Sequence, residues 1–387
     1  MRVYLDNAAT SPIAPEVIEA MTSIMKDFYG NPSSIHKHGR EVKTEIEKAR
    51  KSIANFLNCS PGEIFFTSGG TEADNMALRC SIDDLKITHA ISSPIEHHAV
   101  LHTLEELQKK GKIKLSMVNL LPNGHVDLDH LEELLKTNER SLVSLMHANN
   151  EIGNLLDIDK VSSLCQANNA IFHCDTVQTI GHYRIDLKKT KIHFLACAAH
   201  KLNGPKGVGF IYINSELKIN PLLTGGAQER NMRGGTENVY GIIGMAKAIE
   251  IADKEMDEQR EYIADLKKFM ISELKENLPG VKFNGDTEGN CSYLVLNVCF
   301  PPSPVSEMLL FKLDIEGISA SGGSACSSGS DVGSHVLGAL GVPPSCGNVR
   351  FSFGKHNTKE EIRFVVGKLK EMGISVDSRQ SSVVSEK

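Results

Sequence analysis

One lysine lies at the end of an apolar run in residues 193–209, which read HFLACAAHKLNGPKGVG. The run is long enough for a buried strand, and a Gly/Pro-rich turn follows Lys201. Burial at the end of a strand disfavours a charged amine and lowers its pKa. Such an amine can form a Schiff base with a carbonyl. An ordinary surface lysine fits the same local pattern. The other motifs of the chain are needed to distinguish the two interpretations.

Two further stretches could bind an anion and a cation. Residues 67–72, TSGGTE, follow a predicted strand and open a helix, so N–H groups near Gly70 and Thr71 suit a phosphate. The stretch lacks the P-loop and GxGxxG signatures, and a plain glycine-rich turn fits it equally. Asp175 and Gln178 end another strand, where ligands of parallel sheets bind. A carboxylate there can pair with a protonated ring nitrogen or cap a turn.

A cysteine and an arginine complete the candidates. Cys326 lies in residues 322–333, GGSACSSGSDVG, whose four glycines and four serines predict a mobile loop. A cysteine there is available as a thiolate nucleophile, although a loop cysteine without function has the same pattern. Arg350 lies on a strand-like alternation, and its guanidinium could bind a substrate carboxylate or form a structural salt bridge.

Histidines also follow the predicted strands, at positions 97 and 98 and at position 147. Neighbouring side chains point in different directions, and no HxxxH spacing supports a metal site. We therefore predict no metal. Stacking on a flat ring is the better use of the His97 imidazole.

Alternating strands and helices position these residues. Strands are predicted over 64–68, 88–93, 115–120, 142–147, 171–177, 194–199 and 208–213. Helices are predicted over 16–28, 40–57, 71–79, 97–110, 128–137 and 160–168. This alternation predicts an α/β fold with a mostly parallel sheet covered on both faces.

The same pattern predicts two domains. We expect a large domain over residues 16–250 and a small domain made of residues 1–15 and 251–374. A long helix over 239–278 connects them, a strand follows over 293–298, and a capping box at Thr358 opens a last helix. Residues 375–387 are polar and Ser-rich, which predicts a disordered tail.

Composition narrows the class of protein. With 387 residues, 41% hydrophobic residues and a net charge of −6, the chain is expected to be a soluble globular protein. Nothing favours nucleic-acid binding or a membrane, and no signal-peptide pattern is seen. The nine cysteines are scattered, and no two form a CxxC pair. That spacing favours the reducing cytoplasm over a disulfide framework or a structural zinc site.

Nine motifs from Tyr4 onward resemble those of the cysteine desulfurases, which belong to the class V aminotransferase family and depend on pyridoxal 5'-phosphate (PLP). In chain order they are YLDNAAT, YGNPSS, SGGTEADN, EHHAV, HANNEIG, DTVQ, HKLNGPKG, RGGTEN and SACSSGS. The resemblance runs to the helix near Thr358, so it covers nearly the whole chain. It implies the PLP-dependent transferase fold of the aspartate aminotransferase type, with a mostly parallel seven-stranded sheet and a smaller α+β domain.

The resemblance also implies how the cofactor ring is held. Lys201 would carry PLP as a Schiff base, and His97 would stack on the pyridine ring. Asp175 would pair with the protonated ring nitrogen, so that the ring acts as an electron sink. Gln178 would hydrogen-bond the phenolic oxygen.

The phosphate, by the same resemblance, would be held by Gly70, Thr71 and His200. Thr236, in RGGTEN, would reach the phosphate of the neighbouring subunit, which implies a homodimer. The family usually has Ser or Thr two residues before the His-Lys pair, where the hydroxyl binds the phosphate. Here that residue is Ala198, so one phosphate contact is missing and cofactor affinity is put in doubt.

Substrate binding and sulfur transfer follow from the resemblance as well. Asn149 and Arg350 would hold the carboxylate of L-cysteine, and Cys326 would take the sulfur as a persulfide, leaving L-alanine. The long Ser/Gly-rich cysteine segment resembles the iron–sulfur-cluster branch of the family. The implied partner is therefore a sulfur-acceptor or iron–sulfur scaffold protein.

Other functions remain open at this point. A selenocysteine lyase or another PLP-dependent C–S lyase would use the same scaffold. A catalytically silent sulfur-transfer scaffold would have kept the fold, although the presence of Lys201, His97, Asp175 and Cys326 disfavours it. A nicotinamide dehydrogenase is disfavoured because GxGxxG is missing.

Overall fold

The computed structural model describes residues 1–137, 140–322 and 333–373. The chain groups into two compact units. The larger unit comprises Thr10–Asn149 and Leu155–Glu258, and the smaller one comprises Met1–Ala9, Asn150–Asn154 and the chain from Gln259 onward. Residues 150–154 thus group with the smaller unit, although they fall inside the range that the sequence assigned to the large domain. The predicted tail, residues 375–387, lies outside the described residues.

Within the described residues the strands are short. In chain order they are β1 (Val3–Tyr4), β2 (Ile64–Thr67), β3 (His89–Ser92), β4 (Lys114–Met117), β5 (Leu142–Met146), β6 (Ile171–Asp175), β7 (Phe194–Ala198), β8 (Gly209–Ile213), β9 (Lys282–Asn284), β10 (Val295–Phe300), β11 (Ile318–Ser319) and β12 (Gly347–Ser352). The helices are α1 (Pro15–Asp27), α2 (Lys37–Leu57), α3 (Gly70–Asp84), α4 (His98–Lys109), α5 (Leu128–Lys136), α6 (Ile158–Ala167), α7 (Val239–Asn277), α8 (Leu309–Ile315), α9 (His335–Ala339) and α10 (Lys359–Glu371). Across the described ranges, no helix combines the length and apolarity needed to cross a membrane.

The larger unit is built on a seven-stranded sheet in the order β2-β8-β7-β6-β5-β3-β4. Only β8 runs antiparallel to its neighbours β2 and β7, and the other pairs are parallel. The register places Asp175 beside Met146 of β5 and beside Ala196 of β7. The predicted α/β class with a mostly parallel seven-stranded sheet is therefore confirmed.

Both faces of this sheet are covered, which explains why its central strands read as continuous apolar runs. Along β6, Phe172 and Cys174 belong to a core that also contains residues of α1, α2, α5, α6 and α7. Ile171 belongs to the opposite core, with residues of α3 and α4. Side chains alternate along a strand, so Asp175 faces the same side as Ile171. Helix α3 thus packs over the face that carries Asp175.

The smaller unit has an antiparallel sheet in the order β12-β10-β9 and a parallel pair, β1 with β11. The predicted strand over 293–298 corresponds to β10, and the capping box of Thr358 with Glu361 opens α10 as expected. Strands β9 and β11 and helices α8 and α9 were not predicted. Each is between two and seven residues long, too short for a periodic pattern.

The larger unit contains a strained turn over residues 228–231. Glu229, Arg230 and Asn231 have φ of 43°, 55° and 65°, a left-handed conformation that costs about 1 kcal/mol or more per residue with a side chain. A buried ion pair offsets this cost. Arg50 donates from Nη1 and Nη2 to the two carboxylate oxygens of Glu229, at 2.7 and 2.8 Å. The same carboxylate accepts the backbone N–H of Phe66 at 2.8 Å.

Neutralising Glu229 should destabilise the fold strongly. Glu229→Gln removes the buried counter-charge of Arg50 and leaves only the more exposed Glu47, 3.2 Å from the Arg50 Nε. Breaking a buried pair of this kind costs about 3 kcal/mol or more. The free energy of unfolding, measured by urea denaturation, should fall by about that amount. The matched control is Asp253→Asn, because Asp253 pairs with Arg184 at 2.8 Å on the surface, and it should cost less than ~1 kcal/mol. Equal small losses in both variants would contradict this account.

Candidate active site

Six strands of the larger unit end at one edge of its sheet. β3, β4, β5, β6 and β7 run parallel, and β2 runs parallel to β7 because both pair antiparallel with β8. Most of the predicted site residues lie at these ends or within a short stretch after them, namely Gly70, Thr71, His97, Asn149, Asp175, Gln178, His200 and Lys201. The fold thus brings to one edge the residues that the sequence singled out in separate motifs.

Lys201 ends the 3-10 turn Ala199–Lys201, which directly follows β7. The His182 Nε2 donates to the carbonyl oxygen of Lys201 at 3.1 Å. One residue earlier, the His200 Nδ1 lies 3.2 Å from the Thr10 hydroxyl. The backbone N–H of Ser11 also donates to the carbonyl oxygen of His200 at 2.8 Å, so hydrogen bonds hold the backbone of this turn at His200 and at Lys201.

Asp175 is the last residue of β6 and is only 5% exposed. Its Oδ1 accepts the backbone N–H of Val177 at 2.9 Å. The pKa of Asp175 is raised to about 7, mainly by burial and also by the nearby Asp74. The hydrogen bond from Val177 and the charges of His173 and Lys201 act in the opposite direction. A carboxyl in this environment ionises readily only when a cation lies beside it. A protonated ring nitrogen would be such a cation.

A buried pair that the sequence analysis missed lies near Asp175. His173 Nε2 is 3.3 Å from Asp74 Oδ1, and His173 Nδ1 is 2.8 Å from the Ser144 hydroxyl. Burial raises the pKa of Asp74 to about 8 and lowers the pKa of His173 to about 4. Both groups are therefore largely neutral near pH 7. The sequence did offer one indication of this pair, because His173 lies two residues before Asp175 and therefore on the same face of the strand.

The turn before α3 is built on two glycines, Gly69 and Gly70. Gly69 has φ of 152°, and an added Cβ at Gly70 would lie 2.6 Å from Cγ2 of Val177. Only glycine fits there, and the first N–H groups of α3 remain available to a ligand. Burial lowers the pKa of His200 to about 4, with Lys201 and Lys206 adding to the effect. A neutral imidazole can donate one hydrogen bond to a phosphate.

The remaining residues at this edge are also held in place. His97 caps α4, where its Nδ1 accepts the N–H of Ala99 at 3.1 Å. Asn149 is buried and donates from Nδ2 to the carbonyl oxygen of Ile95 at 2.8 Å. Gln178 lies half-buried in the turn after β6. Hydrogen bonds thus orient the side chains of His97 and Asn149.

Three predicted residues, Thr236, Arg350 and Cys326, do not follow the strand ends of the large sheet. Thr236 is exposed, on the loop that precedes α7. In the smaller unit, Arg350 is 1% exposed and donates to Asp6 Oδ1 at 2.8 Å and to the Asn150 carbonyl oxygen at 2.9 Å. Its Nε is buried without a hydrogen-bond partner, so one donor remains for a ligand. Cys326 lies outside the described residues.

Asp6 was not predicted to take part. Its Oδ1 accepts hydrogen bonds from Arg350 and, at 2.9 Å, from the Ser321 hydroxyl. Arg350 and Ser321 also pair through their backbones. The motif that contains Asp6 therefore holds the buried arginine of the smaller unit in place.

The aminotransferase class-V family model matches residues 3–365.

The chain belongs to the class-V aminotransferase family.

A relative in this family, the cysteine desulfurase IscS of Dictyoglomus turgidum, is 44% identical over 375 residues, which is 96% of this chain and 94% of the relative. The solved structure of a NifS-like protein is 37% identical, has a TM-score of 0.88 and covers 96% of this chain and 99% of its own. The structure of SspA in complex with cysteine is 29% identical, with a TM-score of 0.79, and covers 92% of this chain and 100% of its own.

Class-V aminotransferases are PLP-dependent enzymes, and so is this family member. Its residues fit the cofactor. The edge offers an amine at Lys201, a buried carboxyl at Asp175 that requires a cation to ionise, and the N-terminal N–H groups of α3 at Gly70, which suit a phosphate. Bound PLP supplies an electron sink for the substrate amine.

Ala198→Ser should tighten PLP binding. The Cβ of Ala198 lies 3.9 Å from the position of a Cβ on Gly70, so a hydroxyl there can reach the phosphate turn of this family member. A hydrogen bond to a charged group would lower the PLP dissociation constant roughly ten- to a hundredfold. Equilibrium dialysis measures the change, and pyridoxal, which lacks the phosphate, should bind both proteins equally. No gain for PLP would mean that Ala198 does not face the phosphate.

The Asp74 pKa predicts a pH-dependent stability of the cofactor-free enzyme. The folded pKa of Asp74 is raised from 3.8 to about 8, so between these values the folded state binds the extra proton. Its stabilising effect is lost as pH rises through about 8. Relative to the parent, Asp74→Asn should therefore gain unfolding free energy with rising pH, by at most about 1.4 kcal/mol per unit. The control is Asp83→Asn, which removes an exposed carboxyl from the same helix.

Proposed function

We propose that the protein is a cysteine desulfurase. L-cysteine and the Cys326 thiol react to give L-alanine and a Cys326 persulfide, which a sulfur-acceptor or iron–sulfur scaffold protein then consumes. The observation that carries the proposal is the sheet edge, where Lys201 and the buried Asp175 lie close enough for the lysine charge to lower the carboxyl pKa. The identity of 44% to a named cysteine desulfurase supports it.

The proposal gives each residue at the edge a task. Lys201 binds the cofactor and moves a proton at its Nζ. Asp175 holds the proton of the ring nitrogen, while His97 packs against the ring face and Gln178 donates to the phenolic oxygen. The neutral Asp74–His173 pair adds no net charge near pH 7. Asp175 can then be the charged partner of the ring nitrogen.

Phosphate binding is assigned to Gly70, Thr71 and His200 of the same chain and to Thr236 of a second copy, so the enzyme is proposed to be a homodimer. The glycine turn and the neutral imidazole support this assignment. The cytoplasm is the proposed location, because the nine scattered cysteines suit a reducing compartment.

Substrate recognition is assigned to Asn149 and Arg350. An arginine with an unsatisfied buried Nε supports binding of a carboxylate. The contact with Asp6 orients the Arg350 guanidinium and partly neutralises its charge. A substrate carboxylate would therefore bind Arg350 reversibly. The SspA structure was solved with cysteine bound, and L-cysteine is the proposed substrate here.

Cys326→Ala should abolish alanine release from L-cysteine, because no thiol then takes the sulfur. The variant should still bind PLP on Lys201, which borohydride reduction followed by peptide mapping checks. The matched control is Cys291→Ala, since Cys291 is a half-buried cysteine of the smaller unit and should leave the rate unchanged. Normal alanine release by the Cys326 variant would refute the proposed nucleophile. A label on another lysine would refute the cofactor site.

A further inference from the structure

The loop that carries Thr236 is tied to the phosphate-binding helix by an ion pair. Arg233 donates from Nε to Glu72 Oε1 at 2.9 Å and from Nη2 to Oε2 at 3.2 Å. The side chains are 23% and 11% exposed, respectively. A bidentate contact of this kind fixes both distance and orientation.

Glu72 itself is held firmly. It lies in the first turn of α3, two residues after Gly70, and its Oε2 also accepts the backbone N–H of Ser68 at 2.8 Å. Burial alone would raise the pKa of Glu72, but the hydrogen bonds from Arg233 and Ser68 hold it below its ordinary value. The carboxylate therefore stays charged. Arg233 neutralises this carboxylate at the N-terminus of a helix, where N–H groups suit an anion.

The chain between Arg233 and Thr236 has few ways to move. The Gly234 N–H donates to the Leu223 carbonyl oxygen at 2.9 Å, and the Gly235 N–H donates to Oε1 of Gln228 at 3.2 Å. A Cβ on Gly234 would lie 2.7 Å from the backbone of Gly225. The backbone is thus held by hydrogen bonds at Gly234 and Gly235, and the exposed Thr236 follows directly.

We propose that the Arg233–Glu72 ion pair positions Thr236 for the phosphate of PLP bound to the partner subunit. Helix α3 of one chain would then hold its own phosphate and also order the loop that serves its neighbour. Arg233 is a positioning residue, because it acts through the loop. The inference rests on the proposed homodimer with a shared cofactor site. If Arg233 instead acted only through Glu72, the cofactor of its own chain would be affected.

The first measurement is the affinity of the homodimer for PLP. Arg233→Gln should raise the PLP dissociation constant about tenfold, the effect of one lost hydrogen bond to a charged group. It should leave pyridoxal binding unchanged, because pyridoxal lacks the phosphate. Arg233→Lys keeps the charge and should recover part of the affinity. Arg184→Gln removes an exposed ion pair of the same unit and should change nothing.

Mixed dimers decide which subunit depends on Arg233. In the first, one chain carries Lys201→Ala and Arg233→Gln, so only its unmodified partner holds PLP on a lysine. In the reciprocal dimer, Arg233→Gln is on the chain with the intact Lys201, and the partner carries Lys201→Ala alone. Loss of the visible absorbance of lysine-bound PLP should be about tenfold faster in the first dimer. The reciprocal dimer should match a dimer without the Arg233 change.

Both mixed dimers contain the same two substitutions, so a general folding defect would affect them equally. Faster loss in the reciprocal dimer alone, or equal rates in both, would overturn the inference, and so would a monomeric protein. The proposed function is judged separately, by alanine release from L-cysteine in the unmodified dimer. If that activity is present while both mixed dimers lose PLP at one rate, only the positioning role of Arg233 fails.

Discussion

A carboxyl group buried at the end of a central strand is the constraint on which the rest of the site depends. Burial disfavours the ionised form of Asp175 and raises its pKa. A cation must be supplied at the same edge of the sheet, and Lys201 and a protonated ring nitrogen are the two that the fold can place there. The parallel arrangement of β6 and β7 sets the spacing between carboxyl and amine.

The titratable groups around Asp175 are largely neutral. Near pH 7, burial leaves Asp74 largely protonated and His173 and His200 uncharged. Charges at the edge are thereby limited mainly to groups that contact cofactor or substrate. The same burial that makes the carboxyl of Asp175 costly thus keeps competing charges away from it.

Much of the site could be predicted from the sequence because its residues follow strand ends, which short-range patterns reveal. Lys201, Asp175 and His97 were found in this way, and so were the seven strands of the large sheet. The contact of His173 with Asp74 and the pairing of Arg350 with Asp6 depend on tertiary packing between distant segments. No local pattern reports such contacts. The short helices and strands of the smaller unit were missed because they contain too few residues to display a hydrophobic periodicity.

The turn at Glu229 has a consequence for how the sequence can diverge. Arg50 and Glu229 are 179 positions apart, yet their side chains form a bidentate ion pair, and Glu229 also accepts the N–H of Phe66. A homologue that replaces one of the pair by an apolar residue must replace the other and find a new acceptor for that N–H. Relief of the backbone strain at residues 229–231 would be needed as well. Drift at these two positions is therefore expected to occur in concert, with glycine or asparagine entering the turn at the same time.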